Sequence, residues 1–337
     1  MGSVTIKDVA KRADVSIKTV SRVLNNEPLV KASTRDRVMQ AIKELGYRPN
    51  QIARGLLTSR TETIGIVVSN ITNNFIGEVI RGIESVTSEA NYSLIVCNTD
   101  QKAEEENRYL DVLLRHQVDG IITAATSQQW ASLTEAEKHR TPIVFLDRKF
   151  EGMDGPFVGV DNVEGAFVGV NHLINCGHKR IGMIAGLPYL SSMRERRTGF
   201  ERALATHGLP IRTEWIVESS LTIDEGRIAA RKILSMPEPP HALFVSTNLL
   251  ALGTLLALKD LGLRCPEDLA LVAFDDHPWA EVSNPPLTVV RQPARAIGQE
   301  AAQLLLSLLI DGDEVRRTQI LLPPELIVRE SCAASSA

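Results

Sequence analysis

The sequence predicts an all-α helix-turn-helix head followed by an α/β body made of two doubly wound parallel-sheet lobes. Three observations predict it. Residues 5–46 carry three short amphipathic helix patterns in succession. Residues 1–60 hold twelve Lys and Arg against five Asp and Glu, a net of +7 in a chain of net −4, so the remainder carries −11. From Thr63 onward, short β-branched runs alternate with helical stretches in two successive series. The expected boundaries are a head over 1–49, a linker over 50–61 and a body over 62–337. The first lobe takes about 62–160 and 291–318, the second about 161–288 and 320–330.

The head begins with Thr5, which can cap a first helix, and Asp8, which completes a capping box. Ala10 and Ala13 let two helices cross closely, Val15 plugs the turn, and Ser16 can cap the second helix. Val20, Val23 and Leu24 share one face of that helix by the i, i+3, i+4 rule and should be buried. Ile17, Lys18, Ser21, Arg22 and Asn25 then point outward. A dry back with a front of basic, amide, hydroxyl and apolar groups suits the major groove of DNA. Any small amphipathic helix pair shows some of this pattern, so the neighbouring features matter. A third helix is expected from the start signal Ser33-Thr34-Arg35-Asp36, with Val38, Ile42 and Leu45 inside and Gly46 as its stop. A cationic head on an acidic body is the footprint of phosphate-backbone binding.

The linker reads Tyr47-Arg48-Pro49-Asn50-Gln51-Ile52-Ala53-Arg54-Gly55-Leu56-Leu57. Its helical stretch is shorter than the ~12–15 residues an isolated helix needs in water, so it should be helical only when covered. Leu56 either packs on the next domain or wedges between base pairs in the minor groove, with Arg54 near the backbone.

In the body, strands are expected at 64–68, 92–97, 119–123 and 142–146, then at 157–160, 180–185, 215–217, 242–245 and 269–274. Apolar runs between helices mean parallel strands covered on both faces. Two such series in one body mean two lobes. Ligands bind such sheets at the carboxyl ends of the strands, so the cleft between the lobes is the expected site. The polar clusters just past the strands supply its candidates: Asn73 and Phe75, Asp147 and Arg148, Ser192, Arg194 and Arg196, Thr247, and Asp275.

The Thr5–Ser16 stretch, Thr-Val-Ser-Arg-Val-Leu-Asn at 19–25, Leu45–Asn50 and Ala53–Leu56 together resemble the LacI/GalR family of bacterial transcription regulators. The resemblance is dense and continues to about residue 330. It implies that Ile17, Lys18 and Arg22 read the major groove, with Thr5, Ser16, Thr19, Ser21 and Asn25 supporting them. It implies a hinge helix begun at Asn50, bearing Arg54, whose Leu56 opens a base step. It also implies a body like periplasmic sugar-binding proteins, in which the chain crosses between lobes three times. The crossings are placed near Val160-Asp161, Thr288-Val289-Val290 and Thr318-Gln319-Ile320. By the same resemblance Asp275 binds sugar hydroxyls and an Arg of the Arg-x-Arg-x-x-Gly-Phe run clamps the ligand. Arg196 is placed first for that role, with Arg194 beside it. A carboxylate and a guanidinium together suit a polyol, one accepting and the other donating fixed hydrogen bonds.

One departure matters. Leu221 stands where many sugar-responsive members carry a stacking aromatic residue. Arg148 adds a further cation, which tilts the expected effector toward a sugar acid or sugar phosphate, with a neutral sugar close behind and a nucleobase as the more distant alternative. Partners are therefore a near-palindromic double-stranded DNA operator, a small sugar or sugar derivative, and a second copy in a homodimer. The last residues carry no leucine heptad, so a tail-built tetramer is not expected.

Other chemistry lacks a signature. No Gly-x-Gly-x-x-Gly or P-loop occurs. Cys97, Cys176, Cys265 and Cys332 are scattered and suit a reducing cytoplasm. Asp275-Asp276-His277 invites a metal or hydrolase interpretation, but no Ser or Cys motif accompanies it. No cofactor, metal or catalytic residue is expected, nor any signal peptide or membrane span. The expected location is cytoplasmic and nucleoid-associated. The alternatives are a solute-binding module without DNA function, against which the head argues, and a sugar-processing enzyme on the same body.

Overall fold

The computed structural model describes residues 4–24, 27–47, 60–124, 140–149, 155–311 and 317–332. It divides into two units, Met1–Thr61 and Glu62–Ala337. In the first, helices α1 (Ile6–Arg12), α2 (Ile17–Leu24) and α3 (Ala32–Leu45) enclose a small core. Val9, Val20 and Val38 are fully buried at its centre, with Ala10, Ala13, Val23 and Ala41 around them. Asp8 tethers the start of α1: its Oδ2 accepts from the Thr5 N–H at 2.8 Å and from the Thr5 hydroxyl at 2.7 Å. Asp14 turns the chain at φ 53°, and the Val15 N–H donates to the Ala10 carbonyl at 3.0 Å. Ser16 Oγ accepts from the Thr19 N–H at 3.1 Å and starts α2. The third helix begins at Ala32, just ahead of the Ser33 start signal, and stops at Gly46 in the left-handed region, φ 60°.

The second unit holds two six-stranded sheets. Strands β1 (Thr63–Val68), β2 (Ser93–Asn98), β3 (Gly120–Thr123), β4 (Ile143–Leu146), β5 (Phe157–Val160) and β11 (Gln319–Leu322) form the first, in the order β11-β5-β4-β3-β1-β2. All its neighbours are parallel. Strands β6 (Ile181–Ala185), β7 (Ile216–Glu218), β8 (Ala242–Val245), β9 (Ala270–Phe274), β10 (Thr288–Arg291) and β12 (Glu325–Ile327) form the second, in the order β12-β10-β9-β8-β6-β7. The strands expected from the sequence in this lobe are all parallel, and the late edge strand β12, which has no place among them, runs antiparallel to β10. It enters directly from the first lobe after Pro323-Pro324, with no helix to turn the chain round, and a parallel neighbour needs such a crossover.

Each sheet is covered on both faces, as its apolar strands require. Ile64, Ile66 and Val68 face α4 (Asn74–Glu89) and α11 (Ala294–Asp311), while Val67 faces Leu110 and Leu113 of α5 (Ala103–Arg115). In the second sheet Phe244 and Val272 face α6 (Asn162–Asn175) and α7 (Ser191–Thr206). Leu243, Val245 and Leu271 face α8 (Ile223–Leu234) and α9 (Asn248–Leu261). The contact of α4 with α11 demands glycine: a Cβ on Gly298 would fall on the Val79 carbonyl oxygen, and one on Gly82 on that of Arg295.

The chain passes between lobes three times. The first passage, at Asp161 after β5, is where the sequence places it. The second and third come later. Thr288-Val289-Val290 pairs with β9 in the second sheet, and the chain leaves only at Gln292-Pro293. Gln319-Ile320 likewise pairs with β5 in the first sheet, and the passage falls at Pro323-Pro324. First-lobe structure therefore runs to Leu322 rather than 318, and second-lobe structure resumes at Glu325 rather than 320. A β-branched run announces a strand but not its sheet. Proline, lacking an N–H for the ladder, marks where pairing ends.

Candidate functional site

The outward face of α2 presents Ile17, 46 % exposed, and Lys18, with Thr19, Ser21 and Arg22 beside them. The apolar back at Val20 and Val23 is what turns them outward. A thymine methyl suits an exposed apolar side chain such as Ile17. The hydroxyls of Ser16 and Thr19 lie 2.9 Å apart. Arg22 Nε sits 3.4 Å from the Glu27 carboxylate, an exposed pair that a phosphate or guanine could displace. Hydrogen bonds from Thr5 hold the Asp8 carboxyl below its usual pKa. Asn25, Asn50, Arg54 and Leu56 lie outside the described residues.

In the body, one cavity of about 40 Å³ collects Asn73, Phe75, Asp147, Arg148, Ser192, Arg196, Leu221, Thr247 and Asp275 from the carboxyl ends of strands in both lobes. That is room for a few waters and less than a sugar occupies. Among the described residues two hydrogen bonds tie the lobes beside this cavity. Asn248 Nδ2 donates to Asn73 Oδ1 at 3.2 Å, and the Lys149 N–H donates to Ser191 Oγ at 2.7 Å. An open groove of about 650 Å³ adjoins the cavity along Phe75, Asp275 and Gln292.

Arg196 and Arg194 separate cleanly. Two residues apart on α7, they lie some 200° apart around the helix axis, so both cannot face the cleft. Arg196 is buried: Nε donates to Asn162 Oδ1 at 2.8 Å, Nη1 to the Ser246 carbonyl at 2.6 Å, and its guanidinium carbon lies 3.7 Å from the Phe274 ring centroid. Burial pulls its pKa down, while Asp275 and Asp147 pull it back up. Arg194 does not join the cavity. Its Nη1 donates to the carbonyls of Pro188 and Tyr189 at 3.1 and 3.0 Å.

Two aspartates enter from equivalent positions. Asp147 comes directly after β4 and Asp275 directly after β9, both in the left-handed region, which Asp tolerates better than most residues. Burial raises the Asp147 pKa, and the Arg148 and Arg196 cations counteract it. Asp275 Oδ1 accepts from Gln292 Nε2 at 2.5 Å. Gln292 and Gln101 also line the cavity and carry no sequence signal of their own. Gln292 becomes legible only once its place as the second passage residue is known. Leu221 is buried and packs into the second lobe's apolar cluster.

The tempting Asp275-Asp276-His277 run does not make a metal or hydrolase site. Asp276 is held by Arg291 at 2.7 Å and Arg329 at 3.0 Å, and His277 Nδ1 accepts from the Trp279 N–H at 3.4 Å to cap α10 (Pro278–Val282). Among the described residues no group of three metal-ligating side chains converges, and no helix is long and apolar enough to cross a membrane.

Comparison with known proteins joins the two sites. Residues 5–50 match the family model described as bacterial regulatory proteins, lacI family, and residues 170–332 match a periplasmic binding protein-like domain. The chain is 38 % identical to catabolite control protein A of Priestia megaterium over 330 residues, covering 98 % of this chain and 99 % of the relative. It is 34 % identical to the HTH-type transcriptional repressor CytR of Escherichia coli K12, covering 98 % and 96 %. Among solved structures it resembles the lac repressor dimer bound to operator and the anti-inducer ONPF, with a TM-score of 0.88 and 29 % identity over 99 % of this chain and 100 % of that one. It also resembles a complex of the transcriptional regulator CelR with cellobiose, at 0.74 and 31 % over 97 % and 99 %. These relatives are transcriptional regulators rather than enzymes, and a DNA-reading helical head joined to a bilobal binding body is what they share with this chain. The chain belongs to the lacI family of bacterial regulatory proteins.

Proposed function

We propose that the chain represses genes of carbohydrate metabolism as a homodimer on a near-palindromic double-stranded operator, in the cytoplasm at the nucleoid, under control of a small sugar derivative held between its lobes. Ile17, Lys18 and Arg22 contact base edges, while Thr5, Ser16, Thr19, Ser21 and Asn25 position α2 on phosphates and neighbouring bases. The hinge segment of 50–61, with Asn50, Arg54 and Leu56, orders on the minor groove. One head makes few contacts, and two on one dimer gain through effective concentration. Asp275 and Arg196, with Asn73, Phe75, Asp147, Arg148, Ser192, Leu221 and Thr247, form the effector site.

The observation that carries this is the pair of cross-lobe hydrogen bonds beside a buried, charged cavity. A ligand that bridges the lobes alters the balance between open and closed forms, and any form that binds operator better must bind effector differently in return. The test is genomic footprinting with the full chain to find the operator, followed by operator titrations with and without sugars. An operator whose affinity no cleft ligand changes refutes the coupling.

A further inference from the structure

Arg148 is only 6 % exposed, yet its Nε and Nη1 have no hydrogen-bond partner among the described residues. Its nearest counter-charge is Asp147, 3.5 Å from Nε, close enough for attraction but not for a hydrogen bond. Such a cation is expensive to bury unless paired and bonded. Arg196, the other cleft cation, is already engaged by Asn162, Ser246 and Phe274. Ser192 Oγ, in the same cavity wall, is buried and likewise unbonded among the described residues. It lies in the first turn of α7, whose cap position is Leu190, a residue with no side-chain acceptor for the helix's leading N–H groups. Gln292 Oε1, in the same cavity wall, is a buried acceptor also without a partner among the described residues.

The complement of this set is a molecule with an anion at one end and hydroxyl donors at the other. Charge decides which anion. Of the two cavity-lining guanidiniums among the described residues, Arg148 is the one with bonds still to make, and both Asp147 and Asp275 line the same space. A doubly charged phosphate would meet two carboxylates with one cation to spare. A singly charged carboxylate brings half that repulsion and matches the single cation. Granted the effector site proposed above, the geometry points to a polyhydroxy carboxylic acid, a sugar acid, whose carboxylate accepts from Arg148 and the Ser192 hydroxyl and whose hydroxyls donate to Gln292.

The test measures calorimetric affinity and thermal shift of the full chain against matched probes: gluconate and galacturonate, the neutral parents glucose and galactose, and the 6-phosphates of both. One of the acids is expected to bind at least ~30-fold more tightly than its parent and its phosphate, the usual scale for completing a buried charged pair. Arg148→Met should bring that acid down to the level of its neutral parent. Arg148→Lys, which keeps the charge and serves if the Met variant does not fold, should keep the order acid over parent at reduced affinity. Preference for a neutral sugar or a phosphate, or an acid affinity indifferent to both substitutions, overturns the assignment while leaving the cleft as effector site. If no probe binds and none alters operator affinity, both fall.

Discussion

Asp147 and Asp275 are counterparts across the two lobes. Each comes directly after the third strand of its sheet, counted from the late-arriving edge, and each has positive φ, 61° and 73°. Each also donates its N–H to the neighbouring strand, Asp147 to Val158 at 3.0 Å and Asp275 to Val290 at 2.9 Å. The two lobes thus offer the same backbone feature to the cleft from opposite sides. They differ at the next position, which is Arg148 in the first lobe and Asp276 in the second.

Asp275→Asn keeps a side chain that tolerates the left-handed backbone but removes the charge. It should weaken effector binding by about 2–4 kcal/mol if the carboxylate accepts ligand hydroxyls, while operator affinity without effector stays as it was. Calorimetry and fluorescence anisotropy on an operator duplex read the two separately.

Asn248→Ala removes one inter-lobe hydrogen bond without disturbing Asn73, whose side chain also accepts from the Phe75 N–H at the start of α4. With a net value of about 1 kcal/mol, the open form should gain roughly fivefold in population. Small-angle scattering should show a larger mean radius for the ligand-free variant. An unchanged profile would mean that this bond does not hold the lobes.

Arg22→Ala should cost about 1–3 kcal/mol on the specific operator and much less on random duplex, because base contacts discriminate and phosphate contacts do not. Lys18→Ala, which also removes a base-edge contact, should likewise cost more on the operator than on random duplex, whereas a uniform loss with a lower salt slope would place Lys18 on phosphate instead. Binding isotherms over a salt series distinguish these outcomes.

Asp260 joins α8 to α9 through Arg227 and Arg231, at 2.5 and 2.7 Å, and these bonds bring its pKa down to about 2. A folded-state pKa below the unfolded value of 3.8 means that its contribution is present above that value and fades as pH falls toward 2. The pair is exposed and screened, so the effect is small. Asp260→Asn should flatten the melting-temperature profile between pH 4 and pH 2 relative to the parent chain, and added salt should narrow the difference.

Strands are the most legible part, because a parallel sheet covered on both faces leaves uninterrupted apolar runs such as Ile64–Val68 and Ala270–Phe274. The helices of the head are equally plain from caps and periodicity. What the chain does not announce is partnership at a distance. Thr288–Val290 reads as a strand, but membership of the second sheet depends on β9 and β12. Arg194 and Arg196 share one motif, and only their angular separation on α7 divides them. The Asn73–Asn248 bond joins residues far apart in the chain, and no local pattern encodes it. Gln292 lines the cleft because of where the chain changes lobes.

Ile64 in the first lobe and Phe244 in the second belong to a single apolar cluster that continues past Ala166 and Val290. The helices that cover each sheet nevertheless pack on that sheet within its own lobe, so each lobe keeps its apolar interior when the cleft opens. What ties them at the cleft is polar, Asn248 to Asn73 and Lys149 to Ser191, and water can replace bonds of that kind as the mouth widens.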